Sequence, residues 1–275
     1  MISGDSKGPG GGAAQPRADP FLQAPASPDD VFISPHCDDV CFSLGAQALA
    51  RNAGTLLTVF PVSAYTAALP NGDRSKSSVI TQTRLDEDAA FARATGLQAC
   101  CLPFRDARMR EQTPFDSRLA TAMVVQIEAR LIGALMGPMI GRRPGVSPWL
   151  FCPAAIGGHL DHVTVLLTVW KNRALLSRHY RLAFYEDLHY ASDRLRRERG
   201  LANLHRLLGG VVLRRVAWPL DEKQQAAKMR LVWLHASQLT PQISTIAAYT
   251  PAVSQSATPH EAVWVLQSDA HQRPG

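Results

Sequence analysis

The stretch Val31-Phe32-Ile33-Ser34-Pro35-His36-Cys37-Asp38-Asp39, running on into Val40-Cys41-Phe42-Ser43-Leu44-Gly45, decides how this chain is read. Val31 to Ile33 form a short apolar, mostly β-branched run, the signature of a buried strand. Pro35 stops it, because proline has no N–H for a central ladder. From Asp38 onward, Cys41, Leu44, Ala48 and Leu49 fall on one helical stripe. One histidine and two adjacent carboxylates therefore stand where a strand gives way to a helix. In an open parallel α/β sheet, ligands bind at such strand ends. A helix-opening Asp also has a purely structural reading, as a cap for free N–H groups in a favourable dipole field. Capping explains one Asp; it does not explain the second, or His36 beside it.

Outward from this stretch the pattern repeats. Thr55–Phe60, Ala99–Leu102, Trp149–Cys152, Tyr180–Tyr185, Val211–Trp218 and Val263–Leu266 read as strands. Val79–Thr95 (with Gly96 as C-cap), Asp116–Met136, His159–Leu176 and Glu222–His235 read as helices. Strands alternating with helices imply an α/β fold, a Rossmann-like, mainly parallel sheet flanked by helices. Residues 63–78, with Pro70, Asn71-Gly72 and several serines, form a long loop of the kind that covers a site. Residues 1–28 are rich in Gly, Ala, Pro and Ser and are expected to be disordered. No linker divides the remainder, so 29–275 reads as one domain.

The second informative stretch is Gly157-Gly158-His159-Leu160-Asp161-His162, just after the strand at 149–152. Its layout matches the first: strand, proline, loop, then polar residues opening a helix. Residues three apart meet over one helical turn, so His159 and His162 can face one cavity. With His36 and Asp39 also three apart, two strand ends can present His, Asp and His to one ion. Three N/O ligands with an open fourth position is the pattern of a catalytic zinc. His179, His205, His260 and His271 read as ordinary core or surface histidines.

Composition narrows the function classes. The chain has 275 residues, 46% hydrophobic and 19% charged, which suits a packed globular protein. The net charge is +6, but the densest basic group, Arg194, Arg196, Arg197 and Arg199 beside Glu198, reads as a solvated helix face. No apolar stretch reads as a membrane span, so no membrane insertion is expected. The five cysteines show no framework spacing, and Gly8 to Gly12 stand where an export signal needs apolar residues. A reducing cytoplasm is the expected location. Adjacent Cys100 and Cys101, in an apolar run, read as small core residues.

These motifs resemble the PIG-L / LmbE-like zinc-dependent N-acetylglucosaminyl deacetylases. His36-Cys37-Asp38-Asp39 is similar to that family's His-Pro-Asp-Asp, and His159-Leu160-Asp161-His162 to its His-x-Asp-His. Arg84-Leu85-Asp86-Glu87, Asp106, Tyr185-Glu186-Asp187-Leu188 and Ser237-Gln238-Leu239 follow in the family's order, so the resemblance covers about residues 30 to 240. It implies that His36, Asp39 and His162 bind Zn2+, with another divalent ion such as Fe2+ as an alternative. Such an ion lowers the pKa of bound water and polarises a carbonyl. Asp38 would then act as general base, and His159, in protonated form, would serve the oxyanion or the departing amine. Asp161 would orient a histidine. Arg84 and Asp106 would bind sugar hydroxyls, although Arg84 and Glu87 could equally be a surface ion pair and Asp106 a turn residue. The chain departs from the family in three places. Val40 follows the paired Asp where many members have Glu, and Cys37 replaces Pro. Gly157-Gly158 stands where some members place a Tyr that polarises the substrate carbonyl.

The expected activity is removal of an N-acetyl group from an N-acetylglucosamine-type sugar on a soluble small molecule or natural-product intermediate. One alternative is an amidase of the same superfamily cleaving another amide, such as a thiol conjugate. Another is a non-catalytic binding protein on this scaffold, though no Gly-x-Gly-x-x-Gly follows the first strand. Nucleic acid is not an expected partner.

Overall fold

Seven strands pair into one sheet in the order β3-β2-β1-β4-β5-β7-β6 in the computed structural model, which describes residues 26–69, 71–140, 146–239, 246 and 259–267. They are β1 (Val31–Ser34), β2 (Thr55–Thr58), β3 (Gln98–Cys101), β4 (Trp149–Pro153), β5 (Arg181–Tyr185), β6 (Leu213–Pro219) and β7 (His260–Leu266). The helices are α1 (Asp39–Arg51), α2 (Ser77–Thr95), α3 (Ala120–Met136), α4 (Leu160–Lys171), α5 (Arg173–Leu176), α6 (Arg194–Leu207) and α7 (Glu222–Val232). Strands β1 to β5 run parallel, while β7 lies antiparallel between β5 and β6.

The central strands are apolar on both faces because helices cover both. Ile33, Leu57 and Leu150 share a core with Ile127 of α3 and Val165 of α4. Their alternating neighbours Phe32, Leu56 and Phe151 pack with Val40 and Leu44 of α1 and Val232 of α7. Chain order reverses between β1 and β4, which are hydrogen-bonded neighbours, so a crevice opens at their carboxyl ends. Both polar motifs follow those two strands.

Helix α1 is not continuous. Leu44 leaves helical geometry (φ −133°, ψ 23°), and Glu261 of β7 accepts the N–H groups of Ala46 and Gln47 at 2.9 Å each. The Lys228 ammonium of α7 lies 2.8 Å from the same buried carboxylate. A strand from the end of the described chain thus closes the helix that begins at the first motif.

Several expectations need correction. Cys100 and Cys101 are exposed, because β3 is the sheet's edge strand, not core. Arg197 is not solvated with its basic neighbours; it turns inward onto Glu186 at 2.7 Å. The helix expected over 159–176 breaks at Asn172, and the one expected to reach His235 passes into a tighter 3₁₀ turn over Trp233–Gln238. The 23 residues Ser117–Met139 are long and apolar enough to cross a membrane by composition. Here Met123, Ile127, Leu131 and Leu135 of that segment are buried in the core that α4 shares. Residues 1–25 of the expected disordered tail, and His271, lie outside the described residues.

Candidate metal centre and active-site cavity

At the end of β1, neither aspartate caps α1. Asp38 sits at the N-cap position but makes no capping bond, and Ser34 Oγ accepts the Val40 N–H at 3.2 Å instead. Asp39 Oδ2 reaches back to accept the His36 N–H at 2.7 Å. With Ser34 serving the helix end, both carboxylates are left for other work. At the end of β4, His159 is the N-cap of α4, and its Nδ1 accepts the Asp161 N–H at 3.2 Å.

The two turns brace each other. Asp161 of the second turn holds His36 of the first, Oδ2 to Nε2 at 2.9 Å. Asp39 of the first turn reaches His162 of the second, Oδ2 to Nε2 at 3.3 Å, while lying 3.2 Å from His36 Nδ1. Beyond them, Asp187 at the end of β5 takes His162 Nδ1 at 2.6 Å. Arg110 Nη2 (2.5 Å) and the Ala107 N–H (3.0 Å) fix Asp161.

This donor set fits a divalent ion. Ligand atoms at zinc–nitrogen distances of about 2.0–2.1 Å stand roughly 3.3 Å apart on a tetrahedron. That is the spacing of Asp39 Oδ2 from His36 Nδ1 and His162 Nε2. The outward nitrogen of each histidine already has a carboxylate partner, the usual support of metal-binding imidazoles. The ring nitrogens of His36, His159 and His162 also cluster within 4.8 Å of one another. The third ligand position therefore lies between Asp39 and His159. Asp39 Oδ2 faces both other ligands while also accepting the His36 N–H, and His159 accepts from the backbone through Nδ1 and not Nε2, so either group can fill it.

The electrostatics follow from burial and pairing. Burial works against a charged His36, yet its bonds to Asp161 and Asp39 raise it to about 9. Asp161 is likewise buried, but His36 and Arg110 hold it well below the usual carboxylate range. His159 differs from the expectation of a protonated group. Burial and the neighbouring His36 and His162 hold it well below 6.5. With Nδ1 accepting from the backbone, its proton belongs on Nε2.

No family model matches the chain. Over 205 residues, 68% of this chain and 69% of that protein, it is 34% identical to 2'-N-acetylparomamine deacetylase of Streptomyces fradiae. The chain belongs to the PIG-L / LmbE-like deacetylase family. The fold is that of a deacetylase of teicoplanin biosynthesis (TM-score 0.60, 18% identity, 87% of this chain and 99% of that one). It is also that of the A40926 pseudoaglycone deacetylase Dbv21 (TM-score 0.57, 20% identity, 87% and 97%).

In this deacetylase-family chain the two turns open into a cavity of about 300 Å³. Arg84 does not form the surface pair with Glu87. It is buried, with Nη2 on Asp38 Oδ1 and Nη1 on Ser63 Oγ, both at 3.0 Å, and it lines the cavity. Glu87 instead accepts from the N–H (2.8 Å) and hydroxyl (2.7 Å) of Ser237, joining two of the weaker motifs. Asp106 lines the cavity too, while its Oδ1 accepts the Met109 N–H at 2.8 Å, so it is a turn residue with an oxygen to spare. Cys37 is buried, which pushes its thiol pKa well up and keeps it protonated.

Gly157, where some family members carry a Tyr, is filled differently here. It has φ +97°, and a Cβ on it would lie 2.6 Å from Cγ of Tyr190. The Tyr190 ring, from the loop after β5, occupies that space, 6.2 Å from the His162 ring, and lines the cavity. Asp187, Tyr190, Arg110 and Tyr65 are site residues whose roles the sequence reading missed. Asp187 carried a signal in its place at a strand end, and Tyr65 in its place on the loop 63–78, which here lines the cavity.

Proposed function

We propose that the protein is a metal-dependent hydrolase that removes the N-acetyl group from an acetylated amino sugar of a natural-product intermediate. The observation that carries this reading is the bracing of the outward nitrogens, His36 Nε2 by Asp161 and His162 Nδ1 by Asp187. It leaves His36 Nδ1 and His162 Nε2 each within 3.3 Å of Asp39 Oδ2. We assign His36, Asp39 and His162 to the ion, Zn2+ first and Fe2+ as the alternative. When bound, the ion would supply Lewis-acid activation of water and of the amide carbonyl.

The chain's own groups do the rest. Asp38, steered by Arg84, accepts the proton of the attacking water. His159, carrying its proton on Nε2, donates a hydrogen bond to the developing oxyanion, and the proton that Asp38 has taken passes to the departing nitrogen. Asp161 fixes His36, and Arg84 and Asp106 meet sugar hydroxyls. The Tyr190 phenol stands beside the histidines as a further neutral donor. The relative that acts on 2'-N-acetylparomamine supports an amino-sugar substrate, and the Rossmann-like order of the parallel strands supports a strand-end site. We read 29–275 as one cytoplasmic domain with no membrane insertion and no nucleic-acid partner.

Incubating the zinc- and iron-loaded protein with N-acetylated amino sugars, 2'-N-acetylparomamine among them, tests the reading. Mass detection should show loss of acetyl and release of acetate. Release of a larger acid from another amide, with none of the sugars consumed, would overturn it.

A further inference from the structure

Phe115 lines the cavity but neither holds the candidate ion nor carries a proton. It is a large aromatic side chain, 57% exposed, at a place where the chain gains nothing in stability by leaving it in water. Its position is nevertheless fixed. The Pro114 carbonyl accepts the N–H of Leu160, the first residue of α4, at 2.6 Å, and the Asp116 N–H returns to the Thr113 carbonyl at 3.0 Å. These bonds hold the Phe115 loop against the helix end that carries His159.

The ring meets two neighbours, both nearly at right angles: His159 at 5.5 Å and 83°, and Tyr190 at 6.2 Å and 81°. Neither neighbour stacks on it in parallel. The α4 side of the cavity is therefore an aromatic corner, while the charged groups Arg84 and Asp106 come from α2 and from the loop after β3. A pyranose chair has matching halves. Its axial C–H groups make an apolar face that suits the electron-rich face of an aromatic ring, and its equatorial hydroxyls point outward to polar partners.

We propose that Phe115 is a stacking platform for the C–H face of the substrate's amino-sugar ring. It would seat the ring beside His159 and make the site selective for a chair-shaped amide over a flexible one. The proposal rests on the deacetylase reading and names how that site chooses its substrate.

The test uses the metal-loaded protein and methyl N-acetyl-β-glucosaminide. Phe115 is exposed, so Phe115→Ala, Phe115→Leu and Phe115→Trp should keep the wild-type metal content and melting temperature. Phe115→Ala and Phe115→Leu should raise KM about tenfold with kcat within about twofold, and Phe115→Trp should stay near wild type. Saturating the protein's aromatic protons should transfer to the axial ring hydrogens of the sugar in wild type. In Phe115→Ala that transfer should fall severalfold relative to transfer to the acetyl methyl. If wild type releases acetate and Phe115→Ala keeps its KM, or if Phe115→Leu matches wild type, the platform is wrong and the deacetylase reading stands. If wild type releases acetate from no acetylated sugar, the deacetylase reading fails and takes the platform with it.

Discussion

The turn after β1 and the turn after β4 share a layout and differ in how they face water. In the first, the side chains of Asp38 and Asp39 are 16% and 13% exposed. In the second, Asp161 is fully buried and His162 nearly so. The first turn sets two carboxylates at the cavity wall, where one can meet water and the other an ion. The second keeps its carboxylate sealed and uses it to hold a histidine of the first. The same strand–proline–helix unit thus serves once as the working half and once as the frame.

Breaking the working half should have the largest effect. Asp39→Asn and His36→Ala each remove a candidate ligand, so metal content by elemental analysis should fall and activity with it. Full occupancy in both variants would reassign the site. Asp38→Asn should keep its metal and bind substrate, yet lose about 10²–10⁴ in kcat, the usual worth of a positioned base. Should Asp38→Asn lose the metal while Asp39→Asn retains it, the two neighbours have exchanged roles.

The frame should fail more gently. Asp161→Asn and Asp187→Asn leave every candidate ligand in place but loosen its orientation, so metal affinity by chelator competition should drop about 10- to 100-fold. Equal effects would mean that His36 and His162 depend alike on their buried partners. No effect in either would make the bracing merely structural.

An effect on stability belongs to Asp88 on α2, behind Arg84 and Asp38. Burial, with some help from Asp38, raises its pKa to about 7, although Thr58 donates to it at 2.6 Å. An unfolded Asp titrates near 3.9. Between about pH 4 and 7 the folded chain therefore binds the extra proton, and stability falls as pH rises through that window. Asp88→Asn should stabilise the protein by up to about 4 kcal/mol at pH 8, at about 1.36 kcal/mol per pKa unit, and by little at pH 4, read from urea unfolding. A gain independent of pH would remove the titration argument.

What the sequence made legible lies within single elements. Val31–Ile33 and Trp149–Cys152 announce buried strands, and His36, Asp38, Asp39, His159 and His162 are placed by short motifs at their ends. Contacts between elements were not legible. Nothing in Tyr190 or Arg110 tells that one fills the space beside Gly157 and the other clamps Asp161, because periodicity reports a residue's own helix or strand and not its neighbour across a crevice. Arg84 and Glu87 show the same limit, since spacing offered a mutual pair as the alternative to sugar binding while each is claimed by a different element. Cys100 and Cys101 were misread because an apolar run looks alike in a central strand and at an edge.

Strand β7 sets an order of events for synthesis. It is made after every other described strand and helix, yet it belongs between β5 and β6, and its Glu261 closes the break in α1. While the chain is emerging from the ribosome, β5 has no neighbour on that side, β6 has no sheet to join, and Ala46 and Gln47 have no acceptor. A message cut short before the codon for His260 would yield both His–Asp motifs and no finished helix beneath the first of them. Such a product should be a substrate for proteases, not a weakened enzyme.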